Sequence, residues 1–518
     1  MVRAQIAPFQ IVIEPLNVSD LTGIQAYAFG QYHGKWLIIG GRTDGLHRRQ
    51  PWATFDSAGQ NKRLFVIDPA TQKTLSATLL ELPAGIREQL SSTNMEFHQE
   101  GVYLYIIGGY GYSITKDDHI TYPNLTIIKI SDVISAIISK TSFNSSFRQI
   151  TDELFAVTGG YLNEIYDTYY LTGGQRFDGR YNPMNHPTFL QKYTNSIRRF
   201  TIADNGTNIS VTHLASIIDS INLHRRDYNV VPQIMTDGQE GLTAFSGVFR
   251  VGADLPYLNC VNIDSSGYSP NFAFSQFYNQ YHCAHIPLYS SSACEMHTLF
   301  FGGIAQYYDS SGILVQNSNV PFVKTIARVT RDSDGVMAEY KLPVEMPGFL
   351  GASSEFIPAE DLPEYSNKVL KLDDITADTT LIGYIFGGIQ SSTANIFWLN
   401  NGTQSNAGSK IFKVFLVKNF SAGMHKLNTQ STGTLHLQVQ ADIEKQNFDF
   451  QFNLENKSDV WLTIGDANGK ILTSSVLRNL NPGKNSVTQN ILNLTVGTYF
   501  ITLETGCEKA VQKVIVEL

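Results

Sequence analysis

Six apolar runs, each cut off by a pair of small residues, constrain this chain more than any other feature. They read WLIIGG (36–41), LYIIGG (104–109), YYLTGG (169–174), LTAFSG (242–247), TLFFGG (298–303) and GYIFGG (383–388). β-Branched and aromatic residues favour extended backbone, while glycines supply positive φ and let another backbone pass close by. One such run carries little information. Six of them, roughly 55 to 85 residues apart, make an internal repeat, and repeats of about 50 residues point to propeller blades. Ser246-Gly247 alone breaks the doublet. Gly159-Gly160 is a spare doublet, too close to Gly173-Gly174 to hold another blade, so the count is six.

A chain of 518 residues exceeds one ordinary core, so one large unit and a smaller one are expected. The composition is 42% hydrophobic, 11% aromatic and only 16% charged, too aromatic and too weakly charged for disorder. A net charge of −8 argues against a nucleic-acid partner, which wants a basic face. Cys260, Cys283, Cys294 and Cys507 are too few for a disulfide scaffold. No run of about 18 apolar residues is present, so no transmembrane helix is expected. The junction Ala4-Gln5 resembles the stump left by a signal peptide, so residues 1–7 are read as a processed N-terminus and export as signal-peptide-dependent.

Along the chain, residues 8–19 alternate apolar and polar side chains like a half-buried strand. Each blade should run as four strands, with the third at 63–68, 125–130, 197–202, 258–263, 323–329 and 411–417. After the last of these no fourth strand follows, so the N-terminal strand is expected to complete the sixth blade and close the ring, which removes an exposed edge. The propeller then spans 8–420, a polar, turn-rich linker 421–434, and the remainder 435–518. In that remainder about seven short strands, separated by turns such as Asn481-Pro482-Gly483, give a β-sandwich count. The fold class is all-β: a six-bladed propeller followed by a sandwich.

The repeated Gly-Gly strand end resembles the Kelch family of propellers over about residues 8–420, although the blades are longer and the outer-strand Trp of that family is mostly missing. The tail is similar to the C-terminal sorting domain of the Bacteroidetes type IX secretion system. The matching segments are VWLTIGDANGK (460–470), LNPGKN (480–485), LNLTVGTYFITL (492–503) and a terminal QKVIVEL. Asp466, Gly469, Gly483, Asn485, Leu494, Gly497, Tyr499 and Lys513 fill the family's motif positions. The resemblance implies passage through the secretion translocon and residence outside the cell, secreted or on the outer surface.

Chemistry in a propeller gathers where the blades meet the channel. Aligning first strands on VVP (230–232), HIP (285–287) and FIP (356–358) places Gln25, Asn94, Glu153, Asp227, His282 and Ser353 at the channel mouth. Two LHRR copies, ending in His47-Arg48-Arg49 and His224-Arg225-Arg226, with Arg176, Arg180, His186 and Asp118-His119, would make a locally basic rim on an acidic protein. Such a rim suits an acidic sugar or other anionic polymer through forked arginine contacts. The same arginines could instead bridge blades. Tyr110, Tyr112, Trp52, Tyr181 and Tyr228 could stack on sugar rings.

Tyr281-His282-Cys283-Ala284-His285, with His224, offers imidazoles for copper, iron or zinc. A Tyr-His pair there also resembles galactose oxidase, a Kelch-type copper enzyme. Against metal, His282 and His285 face opposite sides of a regular strand. Asp56, Asp117 and Asp118 are loop acids able to bind calcium. Asp227, Glu153 and Glu355 could reach the mouth as carboxylates for glycan hydrolysis. The reading is an exported propeller binding an extracellular glycan or other anionic polymer at its mouth, through His47, Arg48, Arg49, Arg176, Arg180, His224, Arg225, Arg226, Asp227, Tyr228, His282 and Glu355. The alternatives are an oxidase, hydrolase or lyase using His224, Asp227, Tyr281 and His282, and a surface adhesin.

Overall fold

The computed structural model describes residues 8–184, 188–418, 435–442, 445–454, 457–466, 471–491, 495–505 and 509–516. Residues 1–7 and the 421–434 segment, read above as a processed terminus and a linker, lie outside the described residues, as do His186, Gly469, Leu494 and Cys507.

Six sheets, each built around four antiparallel strands, follow one another along the chain. In blade 1 the strands are Ala28–Tyr32, Lys35–Ile39, Arg63–Asp68 and Lys73–Thr78. Blade 5 repeats the pattern with His285–Ser290, Glu295–Ile304, Phe322–Arg331 and Met337–Glu345. The second and third strands are the most buried: Leu37, Ile38, Ile39, Leu64 and Ile67 have no accessible surface. Burial on both faces is why these strands read as continuous apolar runs, whereas Lys73–Thr78 at the perimeter is polar and largely exposed.

Blade 6 is built from both ends of the propeller. Phe349–Pro358, Thr379–Ser391 and Ile411–Lys418 are joined at the perimeter by Phe9–Leu16, which pairs antiparallel with Ile411–Lys418 from Phe9 opposite Lys418 to Leu16 opposite Ile411. Its alternation puts Phe9 and Ile11 into the core shared with blade 5.

Among the described residues, two α-helices interrupt the strands, the short Ala84–Gln89 and a longer one. Ile130–Ser139 lies between the third and fourth strands of blade 2 and buries Ile130, Val133, Ile134 and Ile137, the i, i+3, i+4, i+7 stripe of an amphipathic helix, in the core of blades 1 and 2. Lys140 closes it in the left-handed conformation, φ 55°.

At the axis, six backbone hydrogen bonds form a closed ring. Asn94 N–H donates to Ala26 (3.1 Å), Gly159 to Asn94 (3.2 Å), Asp227 to Gly159 (3.0 Å), His282 to Asp227 (3.0 Å), Ser353 to His282 (2.7 Å) and Ala26 to Ser353 (2.9 Å). Every blade contributes one residue, and all but His282 take positive φ. The spare doublet is thereby explained: Gly159 is the ring residue of blade 3, not a strand end.

The repeated doublets lock the same junctions. Gly108, at φ 67°, has the carbonyl of Val157 from the next blade pressed where a Cβ would stand, 1.9 Å away. In blade 4 Ser246 takes this place. It adopts φ 57° and turns its hydroxyl to donate to Asn279 O at 2.8 Å, so the neighbouring segment is bonded instead of merely accommodated.

The C-terminal strands form two sheets. Gln438–Asp442, Asn447–Leu454 and Gly483–Asn490 make one; Ile471–Leu480, Ser458–Asp466, Gly497–Glu504 and Lys509–Val516 make the other. Strict alternation turns Phe448, Phe450, Phe452 and Leu454 of the first toward Val460, Leu462, Ile464, Ile501 and Leu503 of the second. Among the described residues no helix is long and apolar enough to cross a membrane.

Candidate functional site

Loops that follow the glycine doublets rise around the ring and enclose a cavity of about 1000 Å³ at one mouth of the channel. Asn94, Gly159, Asp227, His282 and Ser353 form its floor. Aligning on the prolines thus brings four of its six expected residues to the ring. Gln25 lies one position away from the ring residue Ala26 and gives its amide to Gly45 O (3.2 Å). Glu153 is six positions away from Gly159 and is paired with Arg176 at 2.7 Å.

The wall is stiffened by pairing across blades. The second strand of blade 2, Tyr103–Ser113, runs beyond its blade and pairs with Asp118–Thr121, which pairs in turn with the hairpin Gln175–Gly179 and Phe189–Tyr193 from blade 3. Tyr110 pins the hairpin, donating to Gly179 O (2.8 Å) and accepting from Tyr181 N (2.9 Å). This stations Phe177, Tyr181, Phe189 and Tyr193 along the cavity, with Phe55 and Tyr110 edge-on to each other at 5.2 Å. Tyr112 points away, donating to Asp117. Trp52 does not line the cavity and stands 74% exposed.

Arginines expected on the rim divide in two groups. Arg176 is held by Glu153 and Asp178 (2.8 Å). Arg180 donates to Thr54 O (2.8 Å) and faces Asp56 (3.5 Å). Arg225 is 1% exposed and donates to Asn222 O (2.6 Å), Asn259 O (2.9 Å), Asn259 Oδ1 (2.9 Å) and Ser246 O. Tyr228 is equally buried, donating to Thr172 O (2.6 Å). Arg180 and Tyr228 tie blade 3 to blades 1 and 4, Arg176 and Arg225 are satisfied beside their own blades, and none of the four lines the cavity. Arg48 is exposed outside it as well.

Arg49, Arg226 and Arg250 do line it. Arg49 lies over the Trp398 ring at 5.3 Å. Arg226 stands between Phe177 and Phe249 (5.8 and 5.1 Å), with Nε donating to the Tyr193 hydroxyl (3.1 Å) and Nη1 facing Asp227 (3.4 Å). Arg250, Phe249, Tyr193 and Trp398 were absent from the sequence reading; the pair Phe249-Arg250, just after the blade 4 doublet Ser246-Gly247, was the available signal for two of them.

Histidines and carboxylates separate similarly. His47 lines the cavity against Phe55 and Tyr181, and among the described residues its buried Nδ1 meets no hydrogen-bond partner. Burial above all, with Arg226 and Arg42 adding to it, lowers its pKa to about 4. His224 stacks on Tyr193 at 3.7 Å and bonds Asn195 through Nδ1 (2.8 Å); burial lowers its pKa too. Tyr281 lines the cavity, its phenol raised by burial.

His282 Nε2 bonds Glu355 Oε1 at 2.8 Å. Glu355 is 6% exposed and lies behind the floor, so it supports His282 without reaching the cavity. Burial alone would push the His282 pKa down, but Glu355, helped by Asp227, outweighs it and holds the imidazole above its usual value. Behind the floor, burial pushes Glu96 well above the carboxylate range, and among the described residues its Oε2 has no partner.

The imidazoles do not assemble into a ligand set. His285 Nδ1 bonds Cys283 O (3.0 Å), and among the described residues no group of three or more His, Cys, Asp or Glu is placed to hold a metal ion. Asp56 caps a short turn at Ala58 N (2.9 Å), and Asp118 accepts from His119 N (2.7 Å).

In the C-terminal sandwich the motif residues build turns. Asn485 donates to Asn481 O (3.0 Å) and Gly483 O (2.9 Å), closing a turn in which Gly483 has φ 97°. Tyr499 is buried opposite Asp466 on the adjoining strand and donates to Thr495 O (2.8 Å), clamping the bend that leads into Gly497. Lys513 is exposed opposite Phe500.

Among curated proteins the sequence finds no significant match. Solved structures overlap it loosely. The structure of YjhT matches at 12% identity over 61% of this chain and 84% of that one, TM-score 0.37. A glycoside hydrolase family 43 arabinoxylan arabinofuranohydrolase from Bacillus subtilis matches at 10% over 96% of each chain, TM-score 0.29. PorZ, a surface component of the type IX secretion system of Porphyromonas gingivalis, matches at 9% over 95% and 75%, TM-score 0.14. Overlap this loose carries no argument. Residues 445–517, however, match the family described as the secretion system C-terminal sorting domain. With Asn485 and Tyr499 closing the turns of that motif, the chain ends in a type IX sorting domain and is exported to the cell surface or secreted.

Proposed function

We propose that the exported propeller binds an extracellular glycan bearing acidic groups in the cavity at its channel mouth, on a fold that the glycine doublets liken to Kelch-type propellers. The observation that carries this reading is the pairing of aromatic faces with guanidinium groups on one wall: Arg226 between Phe177 and Phe249, with Tyr181 and Tyr193 beside it. Aromatic faces stack on the apolar faces of sugar rings, and a held guanidinium supplies paired donors to a carboxylate or sulfate. The backbone groups of the floor already bond one another, so recognition there falls to side chains.

Calorimetric titration of the full chain with acidic and neutral oligosaccharides tests this. Acidic chains are expected to bind, with Tyr181→Ala and Arg226→Ala each weakening them and Arg176→Ala leaving them unchanged. Equal loss in all three variants, or no binding to any acidic glycan, would overturn the reading.

A further inference from the structure

We infer that His282, Arg226 and Tyr193 form a centre for β-elimination on a uronic-acid glycan; this rests on the glycan-binding reading above. Three observations converge on it. His282 is committed through Nε2 to the buried Glu355 (2.8 Å), so Nδ1 is the nitrogen left to act in the cavity. Arg226 is fixed at the adjoining wall by Tyr193 and Asp227, presenting a charge that cannot swing away. The Tyr193 hydroxyl accepts from Arg226 Nε and, at 3.5 Å, from Phe249 N, while among the described residues no acceptor takes its own hydrogen. A phenol that receives donors and keeps its proton is arranged to give it away.

The remaining chemistry of the cavity argues in the same direction. Only Asp227 and Asp254 bring carboxylates to the described lining, and Asp227 is engaged by Arg226 and by Asn94 Nδ2 (3.3 Å), so a pair of free acids for hydrolysis is not offered.

In the reaction, His282 Nδ1 takes the proton from the carbon bearing the uronic carboxylate. The C–H electron pair becomes the new double bond, the bond from the next carbon to the bridging oxygen breaks, and that oxygen takes the Tyr193 proton. Arg226 neutralises the carboxylate as it gains enediolate character, and solvent returns the proton from His282 to Tyr193. Glu355 is a positioning residue.

The test uses the full chain with polygalacturonate, alginate and chondroitin sulfate, reading ultraviolet absorbance of the conjugated product beside calorimetric binding. Absorbance is expected to rise with at least one of them. His282→Ala and Tyr193→Phe should each lower kcat by about 100-fold or more with binding retained. Among the described residues the groups facing the imidazole are Glu355, Asp227, His285 and Tyr161. Glu355→Gln removes the main charge favouring its protonated form and should shift the rising limb of the pH–rate profile to lower pH. Binding of an acidic glycan without absorbance change overturns the elimination and leaves the binding reading standing; absence of both removes both. Product formation that survives His282→Ala and Tyr193→Phe also overturns it.

Discussion

The same tetrapeptide, Leu-His-Arg-Arg, occurs twice beside the channel and does two different things. Leu46–Arg49 follows the doublet of blade 1, in a loop held to blade 6 by Ser405 and Asn400, away from the ring; Arg48 and Arg49 are exposed. Leu223–Arg226 runs directly into the ring residue Asp227 and pairs through Arg226 with Val248. The ring therefore dictates where each side chain goes: Leu223 and Arg225 into the protein, His224 onto Tyr193, and Arg226 toward the cavity. Residue type sets what a side chain is able to do, and backbone anchoring decides which of those things it does.

The sharpest way to break this comparison is at the position where the copies differ most. Arg225→Ala leaves buried carbonyls of Asn222, Ser246 and Asn259 without their donor, and chemical denaturation should show a loss of about 3 kcal/mol or more. Its counterpart Arg48→Ala should stay within about 0.5 kcal/mol. Next in size is Arg226→Ala, expected to cost about tenfold in affinity for an acidic oligosaccharide by calorimetry, with the fold retained.

A subtler effect concerns the two histidines. His47 stays neutral in the fold down to about pH 4, whereas an unfolded imidazole takes its proton near pH 6.5. Between those values the folded state binds fewer protons than the unfolded one, so stability declines as pH falls from about 6.5 to about 4. His47→Gln should flatten that slope in denaturation curves recorded across the window. His224 is lowered as well, chiefly by burial, and its replacement by Gln should flatten the upper part of the same window by a smaller amount.

Much of the architecture was legible because strand burial writes itself into sequence. Apolar runs with glycine ends mark the second strands, and the missing fourth strand of blade 6 points back to Phe9–Leu16. The helix Ile130–Ser139 carried a readable 3.6-residue stripe that a strand-minded reading passed over. At the site, three prolines sufficed to align Asp227, His282 and Ser353. In blade 3 the ring residue is Gly159, which sits in a doublet like those that end strands, while Glu153 lies six residues before it.

What stayed hidden depends on distant partners. Glu355 looks like any carboxylate in sequence; that it stands behind His282, 73 residues away, follows from two blades meeting. Likewise nothing local to Arg225 announces that Asn259 will supply two of its acceptors.

The pairing of Phe9–Leu16 with Ile411–Lys418 has a meaning in time. The earliest strand of the ring to leave the ribosome is bound by one of the last, so the circle stays open, with two unsatisfied edges, until some four hundred residues are available. A chain halted before Ile411 leaves Phe9–Leu16 without its partner, a bare edge open to aggregation.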